Sequence, residues 1–167
     1  MSDDLDLSGL RRSYEKDSLD ESMSAASPLE QFKLWLSDAL EKGVCEANAM
    51  TLATADEQGR PSSRPVLIKG FDEDGIVWFT NYQSRKGQNL DVNPYASVQF
   101  FWPELERVIR IEGKVEKLAA SLSDEYYASR PLTHRIGAWA SPQSQVIKSR
   151  KVIVEDAAKY AFKFGLT

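Results

Sequence analysis

The sequence contains one cysteine, Cys45, and one histidine, His134, in 167 residues. One thiol rules out a disulfide within the chain and any cluster of thiolate ligands. Cys45 reads as a small apolar side chain. One histidine rules out a multi-histidine centre, and no metal is expected. Long apolar runs are missing too. Nothing approaches the ~20 residues that span a bilayer, and the polar start MSDDLDLSGLRR has no signal-peptide core. A cytoplasmic protein with no membrane partner is expected. A basic excess is also lacking. The net charge of -4 argues against a nucleic-acid partner, because such domains carry a cationic surface. The glycine-rich phosphate loops G-x-G-x-x-G and G-x-x-x-x-G-K-S/T do not occur, nor does a G-x-S-x-G nucleophile elbow.

What is present suits one domain with a hydrophobic core. Residues 1–26 mix Asp, Glu, Ser and Lys with few large apolar groups and read as a flexible N-terminal segment. Within it, Leu10, Arg11, Arg12 and Tyr14 gather two cations and an aromatic, a group suited to covering an anionic ligand. Residues 27–167 form the domain. Ser27-Pro28-Leu29-Glu30 predicts a capped helix start. Leu29, Phe32, Leu36, Ala39 and Leu40 recur at helical spacing, and Gly43 stops the helix.

The period then changes to that of strands. Ala49–Ala55, Ser63–Lys69 and Ile76–Asn81 alternate with the turn segments Asp56-Glu57-Gln58-Gly59 and Asp72-Glu73-Asp74-Gly75. A short helix is predicted over Ser84–Leu90. Tyr95–Trp102 and Glu106–Leu118 follow as strands around Pro103. Helices return from Ser121, which with Asp124 forms a capping-type pattern, then over Pro131–Ala140 and Val152–Phe164. Five strands on short turns predict a mainly β antiparallel barrel or sandwich with flanking helices.

Cations placed on apolar strands and at a helix start carry the chemistry. Arg64 and Lys69 flank the apolar run Pro65-Val66-Leu67-Ile68. Five residues apart, they fall on opposite faces of a regular strand. Strand-end charges and ligand contacts both account for them. Ser84-Arg85-Lys86 opens a helix, where free amides, a hydroxyl and two cations suit a phosphate. A capped surface helix accounts for the same residues. Phe79, Thr80, Asn81, Gln143 and Ser144 add polar groups beside apolar surface, which a flavin ring requires. Arg107, Arg110, Arg130 and Arg135 are further cations. Tyr126 and Tyr127 are candidate core residues.

The stretches LRRSY, AMTLATAD, RPVLIKGFDEDG, WFTNYQSRKGQNLDVNP, FFWPELERVIRIEGKVEKL, YYASRP and IGAWASPQS, taken in order, resemble the pyridoxamine 5'-phosphate oxidase family. The likeness runs from about Gly9 to Lys159. It implies an FMN-binding split β-barrel of antiparallel, Greek-key type that works as a homodimer with FMN at the subunit interface. It implies oxidation of pyridoxamine or pyridoxine 5'-phosphate to pyridoxal 5'-phosphate, with oxygen as acceptor and hydrogen peroxide as product. By the same resemblance, Arg64, Pro65, Val66, Leu67, Ile68 and Lys69 line FMN, and Phe79 and Thr80 contact the flavin. Arg85 and Lys86 hold its phosphate, and Gln143 and Ser144 complete the cofactor site. Tyr126, Arg130 and Lys69 meet the substrate, and Arg11, Arg12, Ser13 and Tyr14 cover it. No catalytic residue is assigned.

Three departures qualify the resemblance. Val108 stands where the family commonly has a flavin-contacting Gln. His134 replaces a serine that binds substrate phosphate. The W-G-G and R-L-H-D-R segments found in the family are not present before Thr167, so the domain reads as C-terminally truncated, with weak or absent activity expected. Two alternatives therefore stay open: a non-catalytic form that binds FMN or pyridoxal phosphate, and a split-barrel flavin oxidoreductase with another substrate.

Overall fold

A computed structural model describes residues 7–164. The chain divides into two compact units. One takes the chain up to Asn48 together with Phe100–Ile109, and the other takes Ala49–Gln99 together with Arg110 onward.

In the first unit, a short 3-10 turn at Glu21–Met23 precedes helix α1, Pro28–Glu41. The cap predicted at Ser27 forms: its hydroxyl accepts the Glu30 amide at 3.2 Å, and Pro28 sits in the first turn, where its missing N–H costs nothing. Gly43 ends the helix with φ 68°, a left-handed conformation that side chains with a Cβ disfavour. Phe32, Leu36 and Ala39 are buried at helical spacing, but Leu40 is 59% exposed. The apolar stripe is narrower than the sequence suggests. Phe32 packs on Phe100 at 5.2 Å between ring centroids, and Phe100 on Trp102 at 5.9 Å. The Trp102 indole N–H donates to the Ala47 carbonyl at 3.0 Å, so its polar atom is satisfied in the core. Cys45 is exposed rather than packed as a small apolar side chain.

The N-terminal segment is tied to this unit. Arg107 bonds Asp38 at 2.6 Å and Asp17 at 3.2 Å and lies over the Trp35 ring. Glu106 accepts the Lys16 amide at 2.9 Å and pairs with Arg12 at 3.4 Å.

In the second unit, β1 (Ala49–Ala55) and β2 (Pro61–Leu67) form an antiparallel hairpin. Asp56 closes its turn by accepting the Gln58 and Arg60 amides, and Gly59 supplies a φ of 75°. That turn fixes the register, so β2 begins at Pro61 rather than Ser63 and ends before Lys69. β3 (Gly70–Asp72) and β4 (Gly75–Val77) make a separate two-stranded ribbon. The third strand predicted over Ile76–Asn81 therefore stops at Val77. Helix α2 spans Arg85–Val92. β5 (Tyr95–Trp102) and β6 (Arg107–Lys114), of which residues 100–102 and 107–109 are counted with the first unit, complete a four-stranded sheet of order β2-β1-β5-β6. Both proline positions of β2 lie on an edge strand, where a missing donor is tolerated. Val98, Phe100 and Trp102 are buried at period two, as a half-buried strand requires.

Helices α3 (Ala120–Ser129), α4 (Leu132–Ala140) and α5 (Arg150–Lys163) follow. Ser121 does not cap α3. The helix starts one residue earlier, after Ala119, with no side-chain cap. Among the described residues, no helix is long and apolar enough to cross a membrane.

Candidate functional site

Arg64 is placed by the hairpin register. Leu52 pairs with Arg64 and Thr54 with Ser62, so all four share one face of the sheet. The guanidinium donates through Nη1 to Thr54 Oγ1 at 2.9 Å and to the Leu52 carbonyl at 3.2 Å, and through Nη2 to Ser62 Oγ at 2.7 Å. Every one of these acceptors is neutral. Behind them lies buried Asn89 of α2, whose Nδ2 donates to Thr54 Oγ1 at 3.0 Å and Ser62 Oγ at 3.3 Å. Sequence reasoning misses Asn89, Thr54 and Ser62. The available signal is the recurrence of hydroxyl residues opposite Arg64 on otherwise apolar strands.

The second basic segment lies at the start of α2. Ser84 is fully buried. Its hydroxyl donates to the Asn81 carbonyl at 2.6 Å and accepts the Gly87 amide. Lys86 is buried, and its ammonium donates to Gln143 Oε1 at 2.8 Å and Ser84 Oγ at 3.3 Å. Gly87 lets the helix start approach the preceding loop. A Cβ there would lie 2.2 Å from the Tyr82 carbonyl oxygen.

These cations act on one another. Burial, and then the charge of Arg64, holds the Lys86 ammonium below the ordinary lysine value. Burial, and then Arg85, lowers Arg64 in the same way. Among the described residues no ion pair joins a carboxylate to Arg64, Arg85 or Lys86. Partly desolvated charge without a counterion is costly, and an anionic ligand would relieve it.

Beside this cluster the second unit holds a cavity of about 1760 Å³. Typical small-ligand pockets measure roughly 300–1,000 Å³, so this one is larger than a single small ligand requires. Pro65, Val66, Leu67, Lys69, Phe79, Thr80, Lys86 and Gln143 line it, as do Tyr126, Arg130 and His134. Phe79 and Tyr126 stack face to face at 3.8 Å and 6°, so Tyr126 borders the cavity rather than filling a core. Thr80 Oγ1 is buried with no hydrogen-bond partner among the described residues. Lys69 lies beyond β2, where its amide donates to the Val77 carbonyl at 2.8 Å. It therefore escapes the strict alternation that would oppose it to Arg64.

Not every expected residue reaches the cavity. Ile68 is 5% exposed and packs in the core. Arg64 is half-buried, Arg85 is exposed and Ser144, with φ 65°, is exposed in the loop after α4, and none of the three lines the cavity wall. Arg11, Arg12, Ser13 and Tyr14 belong to the other unit, where all four are exposed. Val108, also exposed, belongs to that unit as well. No group of three or more metal-ligating side chains occurs among the described residues.

Known proteins resemble this chain in sequence and fold. The pyridoxamine 5'-phosphate oxidase family model matches residues 36–164. The pyridoxine/pyridoxamine 5'-phosphate oxidase of a Polaromonas species is 61% identical over 162 residues, covering 97% of this chain and 75% of that protein. That of Neisseria meningitidis serogroup B is 50% identical, covering 97% and 77%. Among solved structures, PhzG from Burkholderia lata, in complex with tetrahydrophenazine-1-carboxylic acid, aligns with a TM-score of 0.82 at 30% identity, over 90% of this chain and 75% of that one. A pyridoxamine 5'-phosphate oxidase-related, FMN-binding protein from Nostoc punctiforme shares the fold at a TM-score of 0.59 and 20% identity, over 78% and 73%. The antiparallel sheet with its flanking helices is thus the split-barrel fold, and with most of the chain matched at this identity, the protein belongs to the pyridoxamine 5'-phosphate oxidase family of oxidoreductases.

Proposed function

We propose that this chain binds FMN in the cavity of the second unit and oxidises pyridoxamine or pyridoxine 5'-phosphate to pyridoxal 5'-phosphate, as a cytoplasmic homodimer using oxygen. The observation that carries the reading is the group of three cations, Arg64, Arg85 and Lys86, with no carboxylate among the described residues paired to any of them. The residues fit a flavin phosphate. Thr80 Oγ1, without a partner among the described residues, offers a hydrogen bond to a polar ring edge. The apolar stretch Pro65–Leu67 and the Phe79 ring offer walls for an aromatic system.

Bound FMN would supply two-electron redox chemistry between the substrate's C4' carbon and oxygen, with hydrogen peroxide as product. The chain's own residues bind and orient. Arg85 and Lys86, with the first amides of α2, hold the cofactor phosphate. Arg64 adds charge from the sheet side. Arg130, Lys69 and His134 supply donors for the phosphate of the substrate, and Tyr126 adds a hydroxyl beside them. A dianionic substrate suits that set of donors better than a neutral one does.

The likeness to PhzG favours a second reading, a flavin oxidoreductase of this fold that acts on another substrate. The relatives at 50–61% identity favour the vitamin B6 phosphates. One experiment separates the readings: the purified chain is titrated with FMN, then supplied with pyridoxine 5'-phosphate while peroxide is followed. Flavin uptake with turnover supports the proposal. Uptake without turnover refutes this substrate, and no uptake refutes the cofactor.

A further inference from the structure

Resting on the FMN reading above, we infer that Asn89 is a positioning residue: with Thr54 and Ser62 it forms a neutral cradle that holds the Arg64 guanidinium charged and without a counterion toward the anion shared with Arg85 and Lys86.

Asn89 is 5% exposed and Thr54 3% exposed. Buried polar groups at such positions are retained when their bonds are made. Here the bonds form one network across three elements. Asn89 on α2 donates to Thr54 on β1 and Ser62 on β2. The same two hydroxyl oxygens accept from Arg64. The Leu52 carbonyl accepts the remaining bond. Two nitrogens of the fork are thereby fixed, and the head cannot swing to another rotamer without giving up three hydrogen bonds in a half-buried site.

The chemistry of the acceptors matters as much as their geometry. A carboxylate in place of Asn89 would satisfy the same hydroxyls, which would then donate to it. It would also set a negative charge one hydroxyl away from Arg64. The guanidinium field would be partly cancelled and its use to a phosphate reduced. Amide and hydroxyl acceptors hold the cation without spending its charge. Asn89 also lies on the helix that begins with Arg85 and Lys86, so the same side chain ties that helix start to the two strands that carry Arg64 and its acceptors.

The test uses the full chain, with FMN and riboflavin as probes and flavin fluorescence as the readout. The ratio of the riboflavin Kd to the FMN Kd isolates the phosphate contribution. A purely structural role would weaken both flavins together and leave the ratio unchanged. We expect Asn89→Asp to lower the ratio by roughly tenfold, the scale of one weakened charge-assisted contact, with riboflavin affinity little changed. Thr54→Val, which removes the shared acceptor without adding charge, should lower it in the same direction by a smaller factor. If Asn89→Asp does not fold, Thr54→Val and Ser62→Ala decide. An unchanged ratio in the folded variants, alongside a lowered ratio in Arg64→Ala, overturns the positioning role alone. A wild-type chain that does not prefer FMN over riboflavin, or that binds neither, overturns the cofactor reading on which the role rests.

Discussion

The residues of the cation cluster differ in how they are held, and this sets what each substitution does. Lys86 is buried and bonded to Gln143, whereas Arg85 is exposed. Arg85→Ala combined with Lys86→Ala removes two charge-assisted contacts to phosphate. At about 1.5–3 kcal/mol each, the loss is about 3 kcal/mol or more, over roughly a hundredfold in FMN affinity. Isothermal titration of the double variant checks this, and unchanged affinity would place the phosphate elsewhere. The depressed Lys86 also predicts a pH dependence. A base whose folded pKa lies below its unfolded value binds fewer protons when folded, so the unliganded chain gains stability as pH rises through that window. A bound phosphate favours the charged form and reverses the preference. FMN affinity should be full below the window and should fall as pH rises through it, starting below the ordinary lysine range. Riboflavin, which lacks the phosphate, controls for ionisation of the ring. A phosphate contribution that stays flat through the ordinary lysine range contradicts the assignment of Lys86.

At the scale of elements, the start of α2 is the part on which the site depends most. It is aimed by the Tyr82–Ser84 turn, and Gly87 permits the contact between them. Gly87→Ala forces a methyl against backbone that cannot yield as a side-chain tip would. Overpacking of this kind costs about 1–3 kcal/mol or more. The thermal midpoint should fall and FMN affinity should fall with it. A variant that keeps both shows that the close approach is not needed. In the first unit, Ser27→Ala removes the α1 cap and should cost about 0.5–2 kcal/mol in urea unfolding. Flavin affinity in the folded protein is the control, expected to be unchanged.

These elements are legible in the sequence to different degrees. β1 and β5 run over the residues their alternation predicts, because one face of each is buried. The α1 cap and stop follow from local chemistry at Ser27 and Gly43. The bounds of β2 and β4 are not legible. Hairpin register is a pairwise property, and the β3–β4 ribbon takes Val77 but releases Trp78–Thr80 to the cavity. Ser121 shows the limit of local patterns, since the helix begins one residue before the expected cap. The basic segments of the candidate site are visible, but the neutral acceptors behind Arg64 are not. Asn89, Thr54 and Ser62 meet only after folding, at sequence separations of 35 and 27 residues from Asn89.

For the whole molecule, a net charge of -4 coexists with a local group of cations that lacks counterions among the described residues. The acidic background makes the cluster more informative, because general basicity does not account for it. The cavity, the stacked Phe79 and Tyr126 rings and the buried Thr80 hydroxyl belong to the same unit as that cluster. The central claim is that this unit holds FMN through its phosphate and uses it to oxidise a vitamin B6 phosphate. The most direct measurement is peroxide release from the purified, FMN-loaded chain on addition of pyridoxine 5'-phosphate, with bound flavin quantified by absorbance. The account predicts one flavin per chain and peroxide formed in step with pyridoxal 5'-phosphate. A chain that takes up no flavin, or that holds flavin yet releases no peroxide above a substrate-free control, would contradict it.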